Sequence, residues 1–354
     1  MSDRLFFALP GSIETRTGGT IYDKRLIGGL RALGWQVELA EWPASFPFPR
    51  RADRQMVASD LAHLPDGTLT IIDGLAFGVL DREVLRHAER LNIVALVHHP
   101  LALESGLSPQ AQAGFRVSEQ SALKCARAVI VTSRMTARGL IQDYGVPAER
   151  ITVAYPGTDA PVALAQVRHD DHGGPVLLAV GTVSARKGYD LLVDALAPLA
   201  DLDWSCRIAG SLDRAPEATV ALRERIIEAG LQHRIHLLGE VASMVPLYEA
   251  ADIFVLPSRY EGYGMAFAEA LRQGLPVVGC RAGAVPEVVP DSAGLLVEPD
   301  DAAALSEALR HLITDREKRR SMAEGALLAG MGLPSWNDTA RQVNALLRDL
   351  VQVA

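Results

Sequence analysis

Over most of this chain, short apolar runs alternate with longer stretches in which apolar residues recur every three or four positions. The first kind reads as strands buried on both faces and the second as helices laid between them, the pattern of βαβ units and parallel sheets. In the first half, strands are predicted at "LFFALPG", "QVELAE", "LTIIDG", "IVALVHH", "AVIVTS" and "ITVAYPG". The helices between them include "GTIYDKRLIGGLRALG", which stops at Gly34 as a helix closed by a glycine does. The stretch "VALAQVRHDDHGGPV" has no clear period and mixes charge, glycine and proline, so it reads as a linker. The pattern then restarts: strands at "VLLAVG", "WSCRIAGS", "IHLLGE", "IFVLPS", "PVVGC" and "AGLLVE", with helices at "YDLLVDALAPLA", "ATVALRERIIEAG", "MVPLYEAA" and from about Met265 to Gln273. A restart predicts an α/β protein of two Rossmann-like, doubly wound parallel-sheet domains facing a central cleft, residues 1–160 and 161–334.

Composition narrows the class. The 354 residues are 49% apolar and 22% charged, ordinary for a soluble α/β protein of two domains and unlike a disordered or fibrous chain. The formal charge of −8 is uneven: through Ala160 there are 17 basic and 17 acidic residues, and 18 and 26 after it. A neutral first half and an acidic second half argue against a nucleic-acid partner, which calls for a basic stripe. The one local basic cluster, Arg50, Arg51 and Arg54, reads as a solvated loop, with contact to an anionic acceptor or membrane surface as its functional alternative. Cys125, Cys206 and Cys280 lack metal-site spacing and form no even-numbered framework, which predicts buried, reduced thiols in a cytoplasmic protein. The N-terminal "MSDRLFFALPG" reads as a first strand and not as a signal peptide, and no apolar run approaches the ~18 residues of a membrane span.

In parallel sheets, ligands sit beyond the carboxyl ends of the strands, and four such loops carry candidate chemistry. Gly18 and Gly19 precede a helix, where free N–H groups suit a phosphate, although the run matches neither GxxxxGK[ST] nor GxGxxG. Arg186 and Lys187 stand just ahead of another helix, a receptor for a diphosphate. His98 and His99 follow a strand, where an imidazole can donate to an oxyanion or sugar hydroxyl or act as a base; a structural role is the alternative.

The fourth loop is "SRYEGYGMAFAEALRQG", with Glu261 in the turn and Glu269 eight residues on, inside the helix. Glu269 there could simply pair with Arg272 on an exposed face. A glycosidase pair needs carboxyl groups about 5 to 9.5 Å apart, whereas eight residues of helix span roughly 12 Å. Two carboxylates set apart along a ligand fit better with hydroxyls at its two ends. Metal chemistry has little support: Asp201 to Asp203 matches DxD but precedes a strand, and the "HDDH" run at 169–172 sits in the linker.

With these loops in place the sequence resembles the retaining glycosyltransferases of family 4, also called glycosyl transferases group 1, which have the GT-B fold. The likeness covers nearly the whole chain and is strongest from Val176 to Pro299. Glu261 and Glu269, with "EGYGMAFAE", match the family's E-x7-E motif; "GTVSARKGYDLLVDAL", "YEAADIFVLPS", "GLPVVGCRAGAVPEVV" and "GLLVEPDD" match around it. Matches in the first half are weaker: Gly18-Gly19, "VIVTS" and "ITVAYPGTD", where Pro156-Gly157 replaces a frequent Asn-Gly.

The resemblance implies a metal-independent enzyme without a cofactor, moving a sugar from a nucleotide-diphosphate sugar, a UDP- or GDP-sugar, to a small-molecule, glycan or lipid acceptor. Arg186 and Lys187 would bind the diphosphate, Glu269 the ribose, and Glu261 the sugar, with help from backbone N–H groups of Tyr263, Gly264, Met265 and Ala266. Gly18 and Gly19 would touch the phosphates, His98 would face the donor sugar, and backbone near Glu240 and Val241 would hold the base. The helix at 335–354 would pack back on the first domain. A GT-B-like epimerase, a phosphorylase and a non-catalytic nucleotide-sugar binder are the alternatives.

Overall fold

The computed structural model describes residues 4–104, 106–160 and 174–353; most of the expected linker, with its "HDDH" run, lies outside them. The chain divides into two compact units, one of Met1–Gly157 with Pro334–Ala354 and one of Thr158–Leu333.

The first unit is a six-stranded parallel sheet of β1 (Arg4–Pro10), β2 (Gln36–Trp42), β3 (Leu69–Asp73), β4 (Asn92–Val97), β5 (Ala128–Val131) and β6 (Ile151–Val153). Their order is β2-β1-β3-β4-β5-β6, so the direction of winding reverses between β1 and β3. Alternate residues point to opposite faces. Phe6, Ala8, Ile72, Ile93 and Ala95 enter one core, and Leu5, Phe7, Leu9, Ile71, Val94 and Leu96 enter the other. The second core is closed by Leu26, Ile27 and Leu30 of the helix Gly18–Ala32 and by Val343 and Leu347 of the C-terminal helix Trp336–Val353. Thr339 of that helix donates to the Tyr155 carbonyl at 2.7 Å, so the last helix belongs to this unit although the chain reaches it last.

The second unit repeats the layout with β7 (Val176–Val180), β8 (Ser205–Ala209), β9 (Ile235–Gly239), β10 (Ile253–Leu256), β11 (Val277–Cys280) and β12 (Gly294–Val297), in the order β12-β11-β10-β7-β8-β9 and all parallel. The winding reverses between β7 and β10, which pair directly. Every residue of β10 and β11 is buried, as their unbroken apolar runs require for a sheet covered on both faces.

Two expectations are corrected. Arg50, Arg51 and Arg54 do not form a loop: Arg50 caps, and the other two begin, the helix Arg51–His63, with Arg54 turned to the Val79 carbonyl at 2.6 Å and to Glu83 at 3.2 Å. A carboxylate three residues along, Asp53, accepts the Arg50 N–H at 2.7 Å and so starts the helix where charge alone suggested a turn. Of the cysteines, Cys206 and Cys280 are buried but Cys125 is only partly so; all three are free. No described helix is long and apolar enough to cross a membrane.

Candidate active site

In the second unit the reversal point brings two loops together. The one after β7 forms a tight turn, Ala185–Lys187, ahead of the helix Tyr189–Leu196; the one after β10 runs through Ser258 to Gly264 into the helix Met265–Arg272. Between turn and helix Gly188 has φ +68°, and a Cβ there would lie 2.1 Å from the Pro257 carbonyl oxygen, so only glycine lets the two loops close on each other.

On this frame Glu261 meets the cations. Its Oε1 accepts from Lys187 Nζ at 2.7 Å and from the Ser258 hydroxyl at 2.7 Å, and its Oε2 lies 3.4 Å from Arg186 Nη1. Arg186 also donates to the Tyr260 carbonyl at 2.8 Å. The Glu261 side chain is 9% exposed, Lys187 13% and Arg186 24%. Burial alone would raise the Glu261 carboxyl; Lys187 and Arg186 outweigh it and hold it down at about 2. Glu261 is therefore ionised at any neutral pH and cannot serve as a general acid. Two cations on one carboxylate leave one positive charge uncompensated within the trio, the electrostatics of an anion receptor.

Arg259 holds the trio's frame. Its guanidinium makes two bonds to Asp190, at 3.0 and 2.7 Å, one to Asp300 at 2.6 Å and one to the Ala185 carbonyl at 2.6 Å, while its N–H donates to the Arg186 carbonyl at 2.8 Å. Gly283 passes behind, where a Cβ would stand 2.2 Å from the Glu261 carbonyl oxygen.

Glu269 is half-buried on the helix, and its Oε2 accepts from the Tyr248 hydroxyl at 2.8 Å. Burial and the adjacent carboxylate push Tyr248 well above the ordinary tyrosine range, so it remains a donor. Arg272, the alternative partner, instead donates to the Gly330 carbonyl at 2.6 Å. Tyr263 and Gly264 are buried at the mouth of this helix, with Met265 and Ala266 half-buried in its first turn. Glu240 and Val241 follow β9, the last strand on that side of the sheet.

Gly18, Gly19 and His98 belong to the first unit. The glycines form the first turn of the helix Gly18–Ala32, capped by the Thr17 hydroxyl, and a Cβ on Gly19 would meet His98 Cδ2 at 3.3 Å. His98 Nε2 is turned inward, 3.3 Å from Asp23 Oδ1 and 3.2 Å from Asp73 Oδ2. Burial works against its charge, but the two carboxylates outweigh burial and raise its pKa; burial and then Asp73 raise that of Asp23. Both directions say that the cluster holds a proton firmly. His99 instead faces Glu104, with Nε2 to Oε2 at 2.9 Å.

The predicted residues thus fall into two groups, one in each unit. The sequence reading missed Ser258, Arg259, Asp190 and Tyr248 beside the first group, and Asp23 and Asp73 beside the second. Asp73 ends a strand, which was its only local signal, and Asp23 lies one helical turn past Gly19, where nothing local marks it.

Comparison with known proteins bears on the family and the fold. Residues 174–315 match the family model described as glycosyl transferases group 1, and residues 39–160 match that of glycosyltransferase family 4, so the two together span most of the chain. A lipopolysaccharide core biosynthesis mannosyltransferase of Rhizobium meliloti is 31% identical over 239 residues, 64% of this chain and 66% of its own length. The match therefore falls just short of two thirds of that relative. Among solved structures, a sucrose-phosphate synthase of Thermosynechococcus elongatus superposes with a TM-score of 0.81 at 23% identity, over 99% of this chain and 100% of that one. HepE of Anabaena, in complex with UDP and glucose, superposes with a TM-score of 0.74 at 21% identity, over 97% and 99%. With its two six-stranded parallel sheets, the chain belongs to the family 4, group 1 glycosyltransferases of GT-B fold.

Proposed function

We propose that this chain takes a sugar from a nucleoside diphosphate sugar and passes it, with retention at the anomeric carbon, to a hydroxyl or other nucleophile of an acceptor. The observation that carries the reading is Arg186 and Lys187 held on the buried Glu261 where β7 and β10 diverge. When the bond from the anomeric carbon to the diphosphate breaks, its electron pair passes to the β-phosphate oxygen. Fixed cations stabilise that growing charge more in the transition state than in the bound donor. The acceptor oxygen bonds the same face of the carbon, and its proton passes to the departing phosphate, so no protein base is called on.

Glu261 acts in this scheme chiefly by aiming the two cations, since both its oxygens are already engaged by them and by Ser258. Glu269, oriented by Tyr248, would receive the ribose hydroxyls, with N–H groups from Tyr263 to Ala266 beside it. That HepE was solved with UDP and glucose supports a UDP-sugar as the donor to try first.

The test pairs binding with product analysis. The wild-type chain is expected to be stabilised against heat by one of UDP- or GDP-sugars and to yield a product with the donor's anomeric configuration by NMR. Arg186→Ala with Lys187→Ala is expected to abolish both. Undiminished nucleotide-sugar binding and turnover in that folded double variant would overturn the proposal.

A further inference from the structure

One face of the first sheet is covered by four helices, Arg51–His63, Asp81–Leu85, Pro109–Cys125 and Arg134–Tyr144, which send Val57, Val84, Phe115 and Leu140 into a shared core. Their outer sides depart from the acidic balance of the chain, whose formal charge is −8. Six cations are exposed on them, Arg51, Arg82, Arg116, Lys124, Arg134 and Arg138, against one exposed carboxylate, Asp143. The five other acids of these helices are half-buried or buried. Asp53 accepts from the Ser45 hydroxyl at 2.7 Å, Asp60 from the Trp42 indole N–H at 2.9 Å and Glu119 from the Leu101 N–H at 3.0 Å, while Glu83 meets Arg54 at 3.2 Å. The carboxylates thus serve the interior and the cations are left to solvent.

Each helix also leaves one large apolar side chain outside: Met56 at 48% exposure, Leu85 at 66%, Val117 at 65% and Ile141 at 39%. Phe48, two residues ahead of the first helix's cap, is 63% exposed with its ring tilted against Phe115 at 5.3 Å. Every helix therefore carries both a cation and an apolar group on its outer side. A protein interface instead gathers apolar residues at its centre and sets charge at the rim. A nucleic acid would engage the cations and leave Met56, Leu85, Val117 and Ile141 in water. The interfacial layer of an anionic bilayer takes both, with phosphates meeting the cations and apolar side chains entering at the acyl boundary.

We propose that this outer face docks on an anionic phospholipid surface. Arginine suits the place, because its aliphatic stem lies along apolar groups while the guanidinium stays among phosphates. The contact is peripheral, since no described helix is long and apolar enough to cross a membrane. The face is built by the first unit alone and does not depend on the donor reading.

Sedimentation of the full chain with lipid vesicles tests this. Binding is expected to phosphatidylcholine vesicles that are one-third phosphatidylglycerol and not to phosphatidylcholine alone, with release at about 0.5 M salt. Arg51→Gln with Arg82→Gln and Lys124→Gln is expected to weaken binding at least tenfold, and so is Met56→Ser with Leu85→Ser and Val117→Ser. All six side chains are exposed, so both triple variants are expected to melt as the wild type does. No binding to the anionic vesicles, or binding undiminished in either variant, would overturn the proposal. Duplex DNA held more tightly than the vesicles would assign the face to a nucleic acid, and self-association lost in both variants would assign it to a second copy; either result overturns it too. Should a variant fail to fold, hydrogen exchange of the wild-type chain decides. Slowing in the four helices on adding anionic vesicles supports the face, and slowing elsewhere or none overturns it.

Discussion

The two units put opposite charge at the same address. Each winds a six-stranded parallel sheet that reverses once, and each crowds ionisable side chains into the loops at that reversal. In the second unit one carboxylate gathers two cations; in the first, two carboxylates face one imidazole. The topology supplies the place, and a few side chains decide the sign of the charge gathered there.

The contrast can be broken most forcefully at Glu261. Glu261→Ala leaves Lys187 and Arg186 without their shared partner, and breaking a largely buried ion pair costs about 3–5 kcal/mol. Denaturant unfolding is expected to register that loss and transfer to collapse with it. Stability within ~1 kcal/mol of wild type would mean that the trio is not the strut of its unit.

The units are also expected to respond oppositely to pH. Glu119, buried behind the His98 loop with Leu101 N–H donating to it at 3.0 Å, has its pKa raised by burial from 4.5 to about 8. Its folded-state pKa is the higher one, so its contribution is full below pH 4.5 and is lost as pH rises through about 8. Glu261 has the lower folded-state pKa, so its contribution is full above pH 4.5 and is lost as pH falls through about 2. Hydrogen exchange followed by peptide across pH should show the first unit loosening toward alkali and the second toward acid. Glu119→Gln is expected to remove the alkaline loosening, by a few kcal/mol. Parallel profiles in both units would contradict the assignment.

Arg259 offers a finer cut, because it ties down the turn that presents the cations without being one of them. Arg259→Ala is expected to cost about 1–2 kcal/mol, given a half-exposed pairing. Its larger effect should be a rise in the donor's KM, with Arg259→Lys restoring little because one ammonium cannot span Asp190, Asp300 and the Ala185 carbonyl. The smallest effect belongs to Gly19→Ala. The new Cβ would sit 3.3 Å from His98, a tight contact, while alanine favours the helix. A net change of about 0.5 kcal/mol or less is expected, read by thermal unfolding, and a larger loss would show that the imidazole cannot give way.

Much of the fold was legible in the chain. The predicted strands occur at their expected places, because unbroken apolar runs in "IVALV" and "IFVL" can only be satisfied inside a sheet covered on both faces. The stretch that follows "IFVL" put Glu261 in a turn and Glu269 inside the following helix, as they are found. What meets Glu261 was not legible there, since Lys187 lies 74 residues earlier in sequence and donates to its Oε1. Tyr248 beside Glu269 and Arg259 beneath the turn were invisible for the same reason.

The sequence by itself determined which segments are strands and helices, that the pattern runs twice, and which loops end strands, because those properties follow from local periodicity and from glycine and proline. Only the tertiary structure decided which charges meet. That depends on β10 lying beside β7, and on the loops of β1, β3 and β4 converging over the first sheet. Strand order is set by packing among elements far apart in the chain, and no local period records it. It made a partner of Lys187 for Glu261 and set His98 between two carboxylates that stand 75 and 25 residues before it.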